Sequence, residues 1–302
     1  MQIYKKEKIG KKRIITIFGL KFTYHAGRKY KYEPVTACGV NETPRAPKVI
    51  VSLTSFPARI VSLHKTVTSL LNQTFKPDAV VLWLAQEQFP GGENDLTPEL
   101  LNLKQYGLTI RWCNDIRSFK KLVPALKEFP NDIIITADDD IYYDKVMVER
   151  LYDSYLKAPE NIHCHRVTKI FRRPACRTGG IPIKAKGGGK HFYKKPSFAN
   201  KLVGMAGVLY PPNSLYKDIT DEKLFMELAP TNDDIWFWLM AVLNDRKIRV
   251  IKGHIPNPPD LDETLSTPCL TQINDHGDNL FYTQLANVLN HYPGLESKLF
   301  IS

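Results

Sequence analysis

The sequence predicts an α/β fold: a doubly wound, mostly parallel sheet with a smaller region after it. Between residues 48 and 156, four apolar β-type runs are each followed by a stretch with helical spacing, and repeated strand–helix units imply right-handed crossovers. The fourth run, Ile133–Ala137 (IIITA), is β-branched up to its closing alanine, the pattern of a buried strand. Three aspartates, Asp138, Asp139 and Asp140, end that run. The carboxyl edge of such a sheet is where open α/β folds place ligands.

Taken in order, the chain opens with a basic leader. A linker rich in Pro and Gly follows, ending at Pro47. Val49–Thr54 (VIVSLT) is the first predicted strand, and 60–73 has helical apolar spacing. A strand at 79–84 leads to a helix near 98–106, and a strand at 108–112 to a helix over about 119–129. After the aspartates, 144–156 reads as a helix. Residues 162–170 alternate like a strand. The Lys/Gly-rich stretch 172–200 reads as a long surface loop of the kind that often forms lids or binding elements. Strands are expected at 203–210 and 247–251. They flank an apolar helix at Asp233–Leu243, whose two leading acids suit a helix N-terminus. A Pro/Asn/Asp-rich stretch then precedes a last helix near 280–289. The expected divisions are 1–47, 48–255 (halves 48–160 and 161–255) and 256–302.

Composition narrows the function. At 302 residues and 43% hydrophobic, the chain can bury one large core or two modest ones. No apolar stretch reaches the roughly 20 residues that cross a bilayer, and the leader lacks the apolar block of a secretory signal. Five scattered cysteines without a CxxC pair fit a reducing compartment. The expected location is therefore the cytoplasm. The net charge of +11 is concentrated in two blocks. Residues 1–32 hold ten Lys/Arg against one acid, and residues 161–201 hold eleven and no acid, so the rest of the chain is acidic. Aromatics in the first block favour an anionic membrane surface over nucleic acid, which is not expected as a partner. A solvated tail explains the same composition.

Chemistry is expected at several places. Clustered carboxylates on a strand tip repel one another unless a cation relieves them, and hard oxygens suit Mn²⁺ or Mg²⁺ bridging to a diphosphate. An acidic turn capping the next helix is the plainer reading. At the first strand's end, Thr54-Ser55-Phe56-Pro57-Ala58-Arg59 offers small hydroxyls and an aromatic for a base and ribose, and neither GxGxxG nor GxxxxGK[ST] is present. After the third strand, Asp115, Lys120 and Lys121 form a charged cluster where a diphosphate can bind. Asp233 and Asp234 precede Trp236 and Trp238, which pairs candidate general bases with aromatic faces suited to a sugar. His163 and His165 share one strand face, but the paired short-spaced ligands of a zinc site are missing.

Read together, the windows VSLTSFPARI, LLNQTFKPD, SFKKLVPALKEFPNDIIITADDDIYY and TNDDIWFWLMAVLN resemble nucleotide-sugar-dependent glycosyltransferases of the GT-A fold. The chain looks most like the family 2-like bacterial enzymes of capsule, exopolysaccharide and lipopolysaccharide assembly. The resemblance runs from about Lys48 to Ile251. It implies a DxD motif with Asp138 and Asp140 on the metal and Asp138 and Asp139 near the donor, the register within the triplet staying open. It also implies donor contacts from Thr54, Ser55, Phe56, Arg59, Asp115 and Lys120, and acceptor contacts from Trp236 and Trp238. Asp234, with Asp233 beside it, matches the general base of inverting members. The implied activity is transfer of a sugar, UDP-linked by preference, to a glycan or lipid-linked acceptor by an enzyme peripheral to the inner face of the membrane. On this reading 48–160 is the donor half and 161–255 the acceptor half. Two departures stand out: Leu84-Ala85-Gln86 lacks an acid to read the base, and of the C-terminal histidines neither His254 nor His276 sits in a recognisable motif. The alternatives are a sugar-phosphate nucleotidyltransferase, disfavoured by TSFPAR in place of a glycine-rich basic loop, and a non-catalytic RNA- or membrane-binding protein.

Overall fold

In the computed structural model, the described residues are 4–9, 12–17, 20–25, 30–172, 183–187, 195–251, 261, 264, 274 and 280–301. The leader forms three strands, β1 (Tyr4–Ile9), β2 (Lys12–Ile17) and β3 (Leu20–His25), paired antiparallel in the order β1-β2-β3. Of the three, β3 (LKFTYH) shows the period-two alternation of a strand, which charge counting alone passes over.

The body follows the expected rhythm. β4 (Val49–Thr54) leads to α1 (Ile60–Leu71), β5 (Ala79–Ala85) to α2 (Pro98–Asn102), and β6 (Leu108–Cys113) to α3 (Val123–Glu128). β7 (Ile133–Ala137) leads through the aspartates to α4 (Met147–Lys157). β4 pairs in parallel with both β5 and β7, and β5 in parallel with β6. Residues 103–106, expected to be helical, form a 3₁₀ turn that Gly107 ends with a φ of 108°. Residues 117–121 are likewise a 3₁₀ turn, which breaks the helix expected over 119–129.

The second half departs further from expectation. Residues 162–170 are not one strand. β8 (Ile162–Cys164) stays in the main sheet, whereas β9 (Val167–Arg172) leaves it to pair antiparallel with β10 (Ile183–Gly187) and β11 (Asn200–Leu202). The stretch read as a loop thus carries a strand, and its residues 173–182 and 188–194 lie outside the described residues. The strand expected at 203–210 shrinks to β12 (Val208–Tyr210), because Gly204–Ala206 forms a 3₁₀ turn and Gly207 takes a φ of 91°. α5 (Glu222–Leu228), α6 (Asp233–Leu243), β13 (Ile248–Val250), α7 (Leu280–His291) and α8 (Leu295–Lys298) complete the elements used below.

The central sheet has seven strands in the order β13-β8-β12-β7-β4-β5-β6, with β12 antiparallel to both its neighbours. It is a mixed, mostly parallel α/β sheet. One core lies between the sheet and α1, α2 and α4. The other packs α3, α5, α6, α7 and α8 on the opposite face. α6 is apolar all round, the mark of a helix enclosed on every side, and 235–242 are all buried.

Candidate active site

The carboxyl edge of β4, β5, β6 and β7 opens into a cleft of about 900 Å³. Thr54, Ser55, Phe56, Arg59, Lys120, Asp138, Asp139, Asp140, Asp233 and Asp234 all line it. Residues expected from four separate stretches of sequence therefore meet at one place.

The three aspartates divide by direction. Asp138 and Asp140 keep side chains 27% and 26% exposed toward the cleft. Asp139 points inward: Ser55 Oγ donates to its Oδ2 at 2.6 Å, and Arg59 Nη1 donates to its Oδ1 at 2.6 Å. Arg59 also reaches Asp140 Oδ2 at 3.1 Å. Both Asp139 oxygens thus carry partners within the protein, although Asp139 also lines the cleft. Ser55 and Arg59, although they line the cleft, are the groups that hold it. The turn itself is braced by α1: Thr66 Oγ1 donates to the Asp139 carbonyl at 2.9 Å, and Ser69 Oγ accepts the Tyr143 N–H at 3.0 Å. The Tyr143 hydroxyl accepts the Asp138 N–H at 2.7 Å and donates to the Met205 carbonyl at 3.2 Å. These contacts account for two of the buried hydroxyls, Thr66 and Ser69, on a helix that otherwise packs like a core element.

Lys121 lies at the centre of the cleft's charge. Its buried Nζ is 2.7 Å from Asp138 Oδ1 and 2.9 Å from Asp233 Oδ2. Burial opposes the charge, but Asp138, Asp233 and Asp234 together hold the ammonium well above the usual lysine range. The Lys121 carbonyl accepts the Ser52 hydroxyl at 2.7 Å, which ties its turn to β4. Lys120 serves another end of the cleft. Its Nζ donates to Asp115 Oδ1 at 2.7 Å and to Gln88 Oε1 at 3.3 Å, and Gln88 donates to Asp115 Oδ2 at 2.8 Å. Burial would raise the Asp115 pKa, yet the Lys120 and Arg117 N–H hydrogen bonds hold it below the ordinary value. Asp115 does not line the cleft; it anchors Lys120, which does.

Across from Asp138, both Asp234 oxygens accept the Gly204 N–H, at 3.1 and 3.2 Å, and Lys201 Nζ lies 3.6 Å away. Burial, reinforced by the Asp233 charge and opposed by Lys201, raises the Asp234 pKa above the usual carboxylate value. Asn232 caps α6 through its side chain, which accepts the Ile235 N–H at 3.2 Å and so aims both acids at the cleft.

Trp236 and Trp238 do not reach the cleft. Both are fully buried, and their indole N–H groups donate to Ile219 O at 3.3 Å and Phe198 O at 2.7 Å. Three and five places past the helix start at Asp233, both fall on core-facing sides of α6. Phe281 and Tyr282 of α7 supply aromatic lining instead, together with Arg117, Arg166, Lys201 and Asn274, none of them expected individually as a site residue. Only the unbroken basic character of 161–201 hinted at Arg166 and Lys201. The histidine pair is structural as well: the ring nitrogens of His163 meet Ser154 Oγ at 2.9 Å and Ala158 O at 3.0 Å, leaving none for a metal. His254 and His276 lie outside the described residues. Among the described residues, no three His, Cys, Asp or Glu side chains converge on a metal position, and no helix is long and apolar enough to cross a membrane.

Comparison with solved structures finds likenesses at low sequence identity. A structure of Staphylococcus aureus TarS 1–349 in complex with UDP is 15% identical, with a TM-score of 0.41, over 68% of this chain and 58% of that one. A second TarS 1–349 structure, also 15% identical, gives 0.42 over 80% and 71%. The mannosyltransferase PcManGT from Pyrobaculum calidifontis, in complex with GDP-Man and Mn²⁺, is 11% identical and gives 0.44 over 90% and 76%. No protein-family model and no curated protein matches the chain.

Proposed function

We propose that this chain is a metal-dependent, inverting glycosyltransferase that moves a sugar from a nucleotide-sugar donor to a glycan or lipid-linked acceptor in bacterial surface-polysaccharide synthesis. The observation that carries the proposal is the division of the acidic triplet. Two carboxylates open into a cleft at the sheet's carboxyl edge, and a third acid with a raised pKa, Asp234, faces them across Lys121.

The residues fit a hard cation. Asp138 and Asp140 offer carboxylate oxygens on a half-open wall, suited to a Mg²⁺ or Mn²⁺ ion that keeps positions for water and diphosphate. When bound, such a metal stabilises negative charge on the departing nucleoside diphosphate. Thr54 and Phe56, with the Lys120–Asp115–Gln88 cluster, form the wall on the side of β4, β5 and β6. That side takes the nucleoside in this reading. Lys121 spreads its charge over Asp138 and Asp233 and keeps the acids from repelling each other before substrate arrives. Asp234 accepts the proton of the attacking acceptor hydroxyl; its raised pKa makes it a better base than an exposed carboxylate. Phe281 and Tyr282, not the buried tryptophans, offer ring faces to sugar C–H groups. In this reading the basic leader docks the enzyme peripherally on the anionic inner face of the cell membrane.

The test is a panel of UDP- and GDP-sugars assayed for binding, hydrolysis and transfer with Mn²⁺. Transfer or hydrolysis of at least one donor, lost in Asp140→Ala, is expected. A panel without binding or turnover, and an Asp140→Ala variant indistinguishable from wild type, would overturn the proposal.

A further inference from the structure

The cleft continues past the acidic triplet on the side away from β4, β5 and β6. β12 lies next to β7 and β8 next to β12, and Arg166 follows the end of β8 by two residues. Its guanidinium enters the cleft beside Met205, whose carbonyl receives the Tyr143 hydroxyl that steadies Asp138. Along this edge the order is therefore the Lys120 cluster, then Asp138 and Asp140, then Arg166.

The charges in the cleft are not equally satisfied. Arg59, Lys120, Lys121 and Lys201 each have a carboxylate within 4.0 Å. Arg166 has none among the described residues. Its Nη1 donates to the thioether of Met205 at 3.3 Å, a weak acceptor for a cation with five N–H groups. Lys201, 7% exposed, stands on the same wall, 5.8 Å from the Phe281 ring centroid and 3.6 Å from Asp234. The wall between them is the small sheet of β9, β10 and β11, which turns Thr168, Ala185 and Lys201 to the cleft. It belongs to the stretch 161–201 that holds eleven Lys/Arg and no acid.

We propose that Arg166, backed by Lys201, binds an oxyanion carried by the acceptor, so that the acceptor is a phosphate- or carboxylate-bearing glycan rather than a neutral one. This rests on the glycosyltransferase reading, since it places the acceptor beyond Asp138. A planar guanidinium whose side-chain partner among the described residues is a thioether is preorganised for a bidentate partner. Phosphate and carboxylate both match that fork, and the aromatic pair on α7 is placed to take the ring that carries them.

The experiment is a ligand-observed NMR titration of the full chain, with UDP and Mn²⁺ present, using glucose 6-phosphate, glucuronate and glucose as probes. At least one anionic sugar is expected to bind about tenfold or more tightly than glucose, the worth of a charge-assisted hydrogen bond; which of the two does so identifies the oxyanion. Arg166→Gln is expected to erase the difference and Arg166→Lys to restore part of it, with UDP affinity the same in all three proteins. Equal binding of the three sugars overturns the inference, as does a preference that survives Arg166→Gln. A parallel loss of UDP affinity in Arg166→Gln also overturns it, because the arginine would then serve the donor diphosphate. Failure of wild type to bind either UDP or GDP with Mn²⁺ would sink the glycosyltransferase reading, while the sugar preference is read in the same way without a nucleotide.

Discussion

Gly204 is the position where one added methyl group separates activity from folding. A Cβ built there would stand 2.9 Å from Asp234 Oδ1, 3.1 Å from Lys121 Nζ and 3.8 Å from Asp138 Oδ1. Carbon and oxygen meet comfortably several tenths of an ångström further apart, so in Gly204→Ala the Asp234 carboxylate must move by about 0.5 Å. That carboxylate is short and held by the Gly204 N–H itself, so displacement weakens the bond that orients it. Overpacking a closed site costs about 1–3 kcal/mol, and the lower chain entropy of unfolded alanine returns about 0.4–1 kcal/mol. A net loss of about 1–2 kcal/mol by urea titration is expected, small enough to leave the protein folded. Misplacement of a reacting group by 1 Å costs about a hundredfold in rate, so half that shift predicts a fall of about tenfold or more in kcat for sugar transfer. UDP affinity with Mn²⁺ should be unchanged, because the clash lies beyond the triplet from the nucleoside wall. Wild-type kcat to within about threefold, in a variant of normal stability, would refute the placement of Asp234 as base.

Other perturbations test other parts of the site. Lys121→Met leaves Asp138 and Asp233 facing each other without their shared cation, and should cost about 3–5 kcal/mol at neutral pH. That loss should shrink on acidification as the acids take up protons, and a pH-independent loss in urea titrations would argue against the bridging role. Asp139→Asn removes the charge that meets Arg59 and leaves one acceptor oxygen for Arg59 and Ser55, and should lower stability by about 2 kcal/mol, whereas Asp140→Asn should act mainly on the Mn²⁺ dependence of donor binding. If Asp234 is the base, kcat/KM should fall with falling pH around a midpoint above the ordinary carboxylate value, since burial raises its pKa and only the ionised form works. Burial also lowers the His163 pKa to about 4 from 6.5. The unfolded chain therefore binds the extra proton in that window and the folded chain does not, so stability should decline as pH drops from about 6.5 toward 4. A flatter decline in His163→Gln, measured by thermal unfolding across the window, would assign that slope to His163.

What the amino-acid order determined by itself was the periodic part of the molecule. The β-branched runs at 49–54 and 133–137 and the apolar helix at 233–243 match the structure residue for residue, because strand and helix spacing are local properties of the chain. The same locality places the aspartates at a strand tip, and it explains why the unbroken charge of 161–201 was visible before any contact was known. Tertiary packing decided the rest. All three aspartates line the cleft, but Asp139 alone has both oxygens taken, because Ser55 and Arg59 arrive from the turn after β4 to hold it. Lys121, not its neighbour Lys120, bridges the acids because the 3₁₀ turn at 117–121 points consecutive side chains to opposite ends of the cleft. Trp236 and Trp238 vanish into the core because α6 is enclosed on all sides, a fact about its neighbours that its own sequence carries only as uniform apolarity. Arg166 enters the cleft because the chain changes sheets between β8 and β9, and a change of partner strand leaves no periodic trace.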